Sequence, residues 1–249
     1  MLRPTLTAAA AAIFLTTPAA AFDLSDMTDA EREAFRAEIR TYLLENPEII
    51  MEAVDVLEQR QADAQAATDE TLVEVNADAL YDDGFSYVGG NPDGDITIVE
   101  FIDYRCGYCR RAHPEVAELL SSDGNIRLIV KEFPILGEQS VLSSQFAVAV
   151  KQLAGGDAYK AVSDALIAFR GDISRDALER LAIDNNLDAD AIFDRMSGPE
   201  VAAEIQATRE LAQRLQISGT PTFVLAGQML RGYLPLEGMQ EIVEGAREG

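Results

Sequence analysis

The chain has 249 residues, of which 43 are acidic and 20 basic, for a formal net charge of −23, and it carries two cysteines and one histidine. So negative a surface argues against binding nucleic acid or anionic lipid. Two cysteines only three positions apart cannot supply the spread-out disulfide framework that staples many exported domains, because closing so small a loop constrains the unfolded chain very little.

Met1 to Ala21 reads as a leader. Arg3 precedes an apolar centre from Ala8 to Leu15, which is followed by Pro18 and the small residues Ala19, Ala20 and Ala21. That is the layout of a cleavable secretory signal, with processing expected before Phe22 and a periplasmic destination for the mature chain. The apolar centre is shorter than the ~20 residues of a membrane span, and no later segment is apolar enough, so no membrane insertion is expected.

Residues 22–82 are expected to form a helical arm and linker. Thr28 and Glu31 are spaced as a capping box, and Phe35, Ile39, Tyr42 and Leu43 fall on one helical face before Asn46-Pro47. Asn46 is expected to cap a second helix with Pro47 in its first turn, carrying Ile50, Val54 and Leu57 on one side. From Gln59 to Thr71 bulky apolar residues all but vanish, which reads as a helical linker. Two such helices cannot bury their apolar stripes alone, so the arm must dock on the rest of the chain or on copies of itself.

Residues 83–249 read as an α/β domain. A short edge strand is expected over 85–88, and Asn91 to Asp95 is a turn. Ile96 to Ile102 is apolar at nearly every position, as a strand covered on both faces should be. Cys106-Gly107-Tyr108-Cys109 then opens a helix to about Ser121, and Ile126 to Phe133 is a second buried strand, completing a βαβ unit. Residues 139–215 are helical, broken near Gly155, Gly171, Asn185 and Gly198. A hairpin over 220–233 and a last helix from about Pro235 follow.

Chemistry concentrates at the two cysteines. A sulfur at the start of a helix faces unpaired N–H groups and the positive end of the helix dipole, and Arg105, Arg110 and Arg111 add local cations. Cys106 is therefore the expected attacking thiol, and Cys109, one turn inward, the resolving thiol of a redox-active pair. A zinc site would need two further ligands, and His113 is the only histidine; Arg110 stands where c-type haem attachment needs histidine. No metal or cofactor is expected, although two thiolates could hold a soft ion such as Cu(I). His113 reads as a structural residue near a bend at Pro114, with an electrostatic influence on the cysteines as the other reading. Glu100 shares a strand face with Ile98 and Ile102. Buried there, its carboxyl should have a raised pKa and could relay the proton that Cys109 must lose; on an open face it would simply be solvated.

These residues together resemble the thioredoxin superfamily: Glu100 six positions before the first cysteine, CxxC at a helix start, Pro114 five after the second, and Thr220-Pro221 before a late strand. The resemblance implies a thioredoxin fold with Pro221 cis and Thr220 offering its backbone to substrate. The helical stretch between Cys109 and Pro221 resembles the insertion of the DsbA branch. Gly107-Tyr108 departs from the Pro-His of the oxidase DsbA, and Thr220 from its valine. Both look more like the isomerase DsbC, and the arm with Tyr42 to Ile50 is similar to the ScsC proteins. That resemblance implies a disulfide isomerase or reductase acting on cysteine-containing exported proteins, kept reduced by a membrane thiol reductase of the DsbD or ScsB type, and a homo-oligomer, a trimer by preference. A monomeric DsbA-like dithiol oxidase and a copper-sequestering thiol protein are the alternatives.

Overall fold

The computed structural model describes residues 27–248; the leader expected at Met1 to Ala21 lies outside them. The chain divides into two compact units, Met1–Gln59 and Arg60–Gly249.

Within the described part of the first unit, α1 spans Asp29–Glu45 and α2 begins at Glu48. Thr28 and Glu31 form the reciprocal capping box: the Glu31 N–H donates to Thr28 Oγ1 at 3.3 Å, and the Thr28 N–H to Glu31 Oε2 at 2.9 Å. At the other end Asn46 closes α1 rather than capping α2. Its side-chain amide and its backbone N–H both donate to the Tyr42 carbonyl, because the last carbonyls of α1 lack helical partners of their own. None of α1 is buried, and Phe35, Ile39, Tyr42, Leu44, Ile50, Met51 and Leu57 are all exposed.

Helix α2 runs unbroken over Glu48–Val75, so the apolar-poor stretch after Gln59 stays helical. In the second unit this helix is already anchored at Asp69, which is buried and accepts from Arg231 Nη2 at 2.7 Å and Nε at 3.2 Å. Apolar periodicity could not reveal that anchor, because it is polar. Val73 and, from α3 (Ala77–Tyr81), Leu80 then join a core with Val99, Phe101, Ile129, Leu211, Leu215 and Val224. Replacing Asp69 with alanine removes the acid from the Arg231 guanidinium but leaves it the Gln216 and Leu215 carbonyls. We expect a loss of about 1 kcal/mol in urea unfolding of the full chain, the net worth of a hydrogen bond whose surviving partner is not left unpaired.

The sheet has the order β1-β3-β2-β4-β5, from β1 (Tyr87–Gly90), β2 (Ile96–Ile102), β3 (Ile126–Glu132), β4 (Thr222–Leu225) and β5 (Gln228–Arg231). Strands β2 and β3 are parallel and joined through α4 (Gly107–Asp123); the other pairings are antiparallel. The edge strand lies two residues later than the sequence pattern indicated. Its start is delayed because Asp83 holds a turn, accepting from the N–H groups of Phe85 and Ser86. The hairpin turn falls at Ala226-Gly227, where both residues have positive φ (49° and 81°).

One sheet face packs on α4, α5 (Glu138–Ala168) and α9 (Leu236–Glu248), with Ile98, Ile102, Leu128, Phe146, Phe223 and Val243 in its core. The inserted helices α5, α6 (Arg175–Asp184), α7 (Ala189–Met196) and α8 (Pro199–Arg214) break where Gly, Asn and Pro predicted, with α5 kinked at Gly155. The opposite face carries Lys131, almost wholly buried, whose Nζ donates to the Ala79 carbonyl at 2.8 Å and pairs with Asp83 at 2.6 Å. That ion pair ties the end of α3 to the central sheet. Among the described residues no helix is long and apolar enough to cross a membrane.

Candidate active site

The site begins where β2 ends. Asp103 is fully buried and uses every acceptor it has to shape the turn into α4. Its Oδ1 accepts from the Arg105 N–H at 2.8 Å, and its Oδ2 from Ile135 and Leu136 N–H groups at 2.8 and 3.0 Å. The Asp103 carbonyl accepts from the Cys106 N–H at 3.0 Å. Cys106 is thereby held as the N-cap of α4 in an extended conformation (φ −73°, ψ 123°), with its sulfur over the first turn.

Both thiols are free and buried. The Cys106 thiol is pulled down to about 5, chiefly by a hydrogen bond from the Cys109 thiol, against the opposing effect of burial. The N–H groups of Cys109 and Tyr108 add to the pull. These donors favour the thiolate, as expected at a helix amino end. When protonated, Cys106 Sγ can instead donate to the Thr220 carbonyl at 3.1 Å. Cys109 is fully buried, and its pKa is driven far above the ordinary value by the Cys106 sulfur, by burial and by the charge of Glu100. The two sulfurs thus take opposite roles: one is ionised and near the surface, the other is protonated and enclosed.

Thr220 reaches this point through β4, which pairs antiparallel with β2 so that Thr222 stands opposite Phe101. The Thr220–Pro221 peptide is cis. Pairing of β4 with β2 brings together residues 114 positions apart in sequence.

Glu100 lies on the central strand, 2% exposed, and its Oε1 is buried without a hydrogen-bond partner. Burial raises its pKa to about 7, with the charge of Glu132 adding to the rise. A cavity of about 30 Å³ adjoins it, also lined by His113, Tyr159, Lys160 and Ser163. That volume is enough for a water molecule. His113 Nε2 lies 2.9 Å from Asp164 Oδ1, and burial lowers the histidine's pKa. The histidine is thus held by α5 at the edge of Glu100's cavity.

Sequence reasoning missed a second buried acid beside Glu100. Glu132, at the end of β3, accepts at one oxygen from the Tyr104 hydroxyl at 2.7 Å and the Tyr159 hydroxyl at 2.6 Å. Burial raises its pKa too. The signal available was a charged pair, Lys131-Glu132, in a strand otherwise read as covered on both faces. Asp103 was missed as well, since nothing local distinguishes an acid that serves distant backbone N–H groups. On the exposed rim the Tyr108 ring stacks on Tyr233 (centroids 6.3 Å apart), and the Arg111 guanidinium sits 4.3 Å from the Tyr233 centroid.

This arrangement can carry thiol–disulfide exchange: an accessible thiolate attacks, and a second thiol, once deprotonated, releases the product. Comparison with known proteins agrees with that chemistry. Residues 97–244 match the DSBA-like thioredoxin domain, and residues 31–64 match the copper resistance protein ScsC N-terminal domain. A thioredoxin-like oxidoreductase from Silicibacter pomeroyi is 39% identical with a TM-score of 0.66, covering 70% of this chain and 99% of that one. BcfH from Salmonella enterica Typhimurium is 26% identical with a TM-score of 0.73, covering 88% of this chain and 96% of that one. Proteus mirabilis ScsC in a transitional conformation is 27% identical with a TM-score of 0.64, covering 88% and 98%. Among curated proteins, a Na(+)/H(+) antiporter NhaA from Salinispora arenicola is 29% identical over 168 residues, which are 66% of this chain and 25% of that protein. The chain thus spans about a quarter of the length of the curated relatives it matches. With the thioredoxin-domain match covering most of the second unit, and the oxidoreductase from Silicibacter pomeroyi matched almost end to end, the chain belongs to the DsbA-like family of thiol–disulfide oxidoreductases and carries an N-terminal segment of the ScsC type.

Proposed function

We propose that this protein is a periplasmic disulfide isomerase or reductase that acts on exported proteins through Cys106 and Cys109. The observation that carries the reading is the division of labour between the sulfurs: Cys106 ionised at a helix N-cap, Cys109 protonated behind it. In this reading Cys106 attacks a substrate disulfide, forming a mixed disulfide and expelling a substrate thiolate. If that intermediate stalls, Cys109 loses its proton to Glu100 and attacks Cys106, releasing the substrate reduced and leaving the Cys106–Cys109 disulfide. The proton leaves Glu100 through the cavity towards His113. Thr220 and Pro221 line the substrate's path, Thr220 offering its carbonyl to an extended segment as an added strand would use it. A membrane thiol reductase of the DsbD or ScsB type returns the pair to its dithiol state.

The proposed division has a leader over 1–21, an oligomerisation arm and linker over 22–82, and the catalytic domain over 83–249. Support for the arm comes from its own surface, where Phe35, Ile39, Tyr42 and Ile50 are each between 41% and 54% exposed. A row of large apolar residues on an otherwise polar helix pair fits burial against copies of itself, a trimer by preference. Several sites facing one substrate raise the effective concentration of thiols around a misfolded chain. Light scattering on the processed chain is expected to give an oligomer that falls to a monomer when residues 22–80 are deleted. Reactivation of a scrambled disulfide-bonded ribonuclease by the reduced protein should fall with it, by about tenfold or more if proximity of sites is the cause. A monomer in both forms, with equal reactivation, would remove the isomerase reading.

A monomeric dithiol oxidase is the second reading, and one observation favours it. A thiol held at about 5 stabilises the reduced pair, which makes the disulfide more oxidising. In that case the deleted and full-length chains would oxidise a reduced substrate equally well and neither would reshuffle a scrambled one.

A further inference from the structure

Three guanidinium groups gather beside Cys106, none of them in an ion pair with an acid among the described residues. Arg105 immediately precedes the thiol, Arg110 lies one turn into α4, and Arg170 follows α5. Each is fixed by backbone carbonyls instead. Arg105 Nη1 donates to Gly171 at 2.7 Å, Arg110 Nε to Tyr104 at 3.1 Å, and Arg170 Nη1 to Ala168 at 3.0 Å. Among the described residues, none of the three takes part in an ion pair; the pairs are made by His113, Lys131, Lys151, Lys160, Arg195, Arg231 and Arg247. Arg110 Nη2 is buried with no hydrogen-bond partner at all.

The neighbouring acids spend their hydrogen bonds elsewhere, although the charge of Asp103 still reaches Arg110. Asp103 gives both oxygens to backbone N–H groups, and Asp172 accepts from Gln139. Carbonyls orient a guanidinium but leave its net charge in place. The Arg110 pKa is lowered first by burial and then by the charges of Arg105 and Arg170, with the smaller opposing pull of the Asp103 and Cys106 charges. The three guanidiniums thus feel one another, and the balance stays cationic. In a chain with 43 acidic residues against 20 basic ones, partners for these cations would be easy to provide. Nor is the cluster the main cause of the low Cys106 pKa, which the thiol and N–H donors around the sulfur chiefly produce.

We infer that Arg105, Arg110 and Arg170 form an anion-recognition surface that selects exported polypeptides whose reactive cysteine is flanked by acidic side chains. The inference rests on Cys106 being the attacking thiol. The surface adjoins Cys106, since Arg105 is its neighbour in the chain and binds the Gly171 carbonyl. Arg170 and Gly171 are exposed, within reach of side chains that flank a cysteine joined to Cys106 through sulfur. Guanidiniums present paired N–H groups that match carboxylates, so an acidic side chain next to the substrate cysteine is the complementary partner. Overall the protein repels an acidic polypeptide; the cluster reverses that sign locally, within the ~8–10 Å over which charges are felt at moderate salt.

The test uses three otherwise identical peptides, each with one cysteine capped as a 2-pyridyl disulfide and flanked by two Glu, two Gln or two Lys. The Cys106 thiolate attacks the peptide sulfur, the bond to the pyridine sulfur breaks, and 2-thiopyridone leaves, so its absorbance reports the rate. At low salt the Glu peptide should react about tenfold faster than the Lys peptide, with the Gln peptide between, and the spread should shrink at high salt. The Glu-to-Lys rate ratio should collapse towards one in the Arg105→Gln, Arg170→Gln double variant and recover in the Arg105→Lys, Arg170→Lys variant. Because the ratio is read within one preparation, a loss of folded protein does not imitate the result. Equal rates for all three peptides, or a ratio unmoved by the Gln variant, would overturn the inference while leaving Cys106 as the nucleophile. No reaction with any peptide would instead remove the catalytic reading on which it stands.

Discussion

Replacing Cys106 with serine is expected to lower thiol–disulfide exchange by roughly a thousandfold or more, the scale on which enzymes lose activity with their nucleophile. Stopped-flow exchange with a model disulfide measures it directly. The same thiol should be alkylated by iodoacetamide with a pH midpoint near 5 in the reduced protein. Because the hydrogen bond from Cys109 is the largest cause of that low value, Cys109→Ala should move the midpoint upward towards that of an ordinary thiol. A lowered thiol pKa also makes the reduced fold depend on pH. Its stabilisation is complete above the ordinary value of 9.0, declines as pH falls, and is gone below about 5. An alkylation midpoint near 8 or 9 in the native reduced protein would refute the electrostatic account of the site.

Glu100→Gln carries the second large effect, and it acts on stability and rate in opposite directions. Burial lifts this carboxyl from 4.5 to about 7, so the folded state binds its proton more tightly than the unfolded chain does. Nothing is lost below the unfolded pKa. As pH rises from 4.5 towards 7 the folded state is progressively destabilised, by on the order of 3 kcal/mol in total. Glutamine has no proton to lose, so the variant should unfold at higher denaturant than the parent at pH 8 and show little gain at pH 4. The oxidised form is the one to compare, since thiol ionisation then drops out. Release of a mixed disulfide by Cys109 should, in contrast, slow by about a hundredfold, the low end for removal of a proton acceptor. Its pH profile should lose the rise centred near 7. A stability gain with an unchanged release profile would make Glu100 a buried acid with no part in proton transfer.

The arm and the redox centre were legible to different depths in the sequence. Thr28 and Glu31 announced the start of α1 because a capping box is local, a few residues long, and satisfies N–H groups that no helix can satisfy itself. Asn46 was read as opening α2 and instead closes α1, since the same amide can serve either helix end and spacing alone does not choose. The strand Ile96–Ile102 was legible to the residue, because burial on both faces writes itself as a nearly continuous apolar run, with Thr97 near its start and Glu100 as the single charged exception. That exception marked the place where burial and chemistry conflict, which is why it could be singled out without coordinates.

By itself the sequence determined the order of helices and strands, the placing of Cys106 at a strand-to-helix junction, and the anomaly of an acid in a central strand. All three depend on neighbours a few positions away, which is the range that helix and strand periodicity reports. Tertiary structure alone decided which distant groups meet them. Thr220 reaches the Cys106 sulfur across 114 positions, Asp69 meets Arg231 across 162, and Tyr104 and Tyr159 converge on Glu132. Such pairings are polar, single and non-repeating, so they leave no period in the chain. They exist because the sheet and the packed helices enclose these groups and make an unpartnered polar atom expensive.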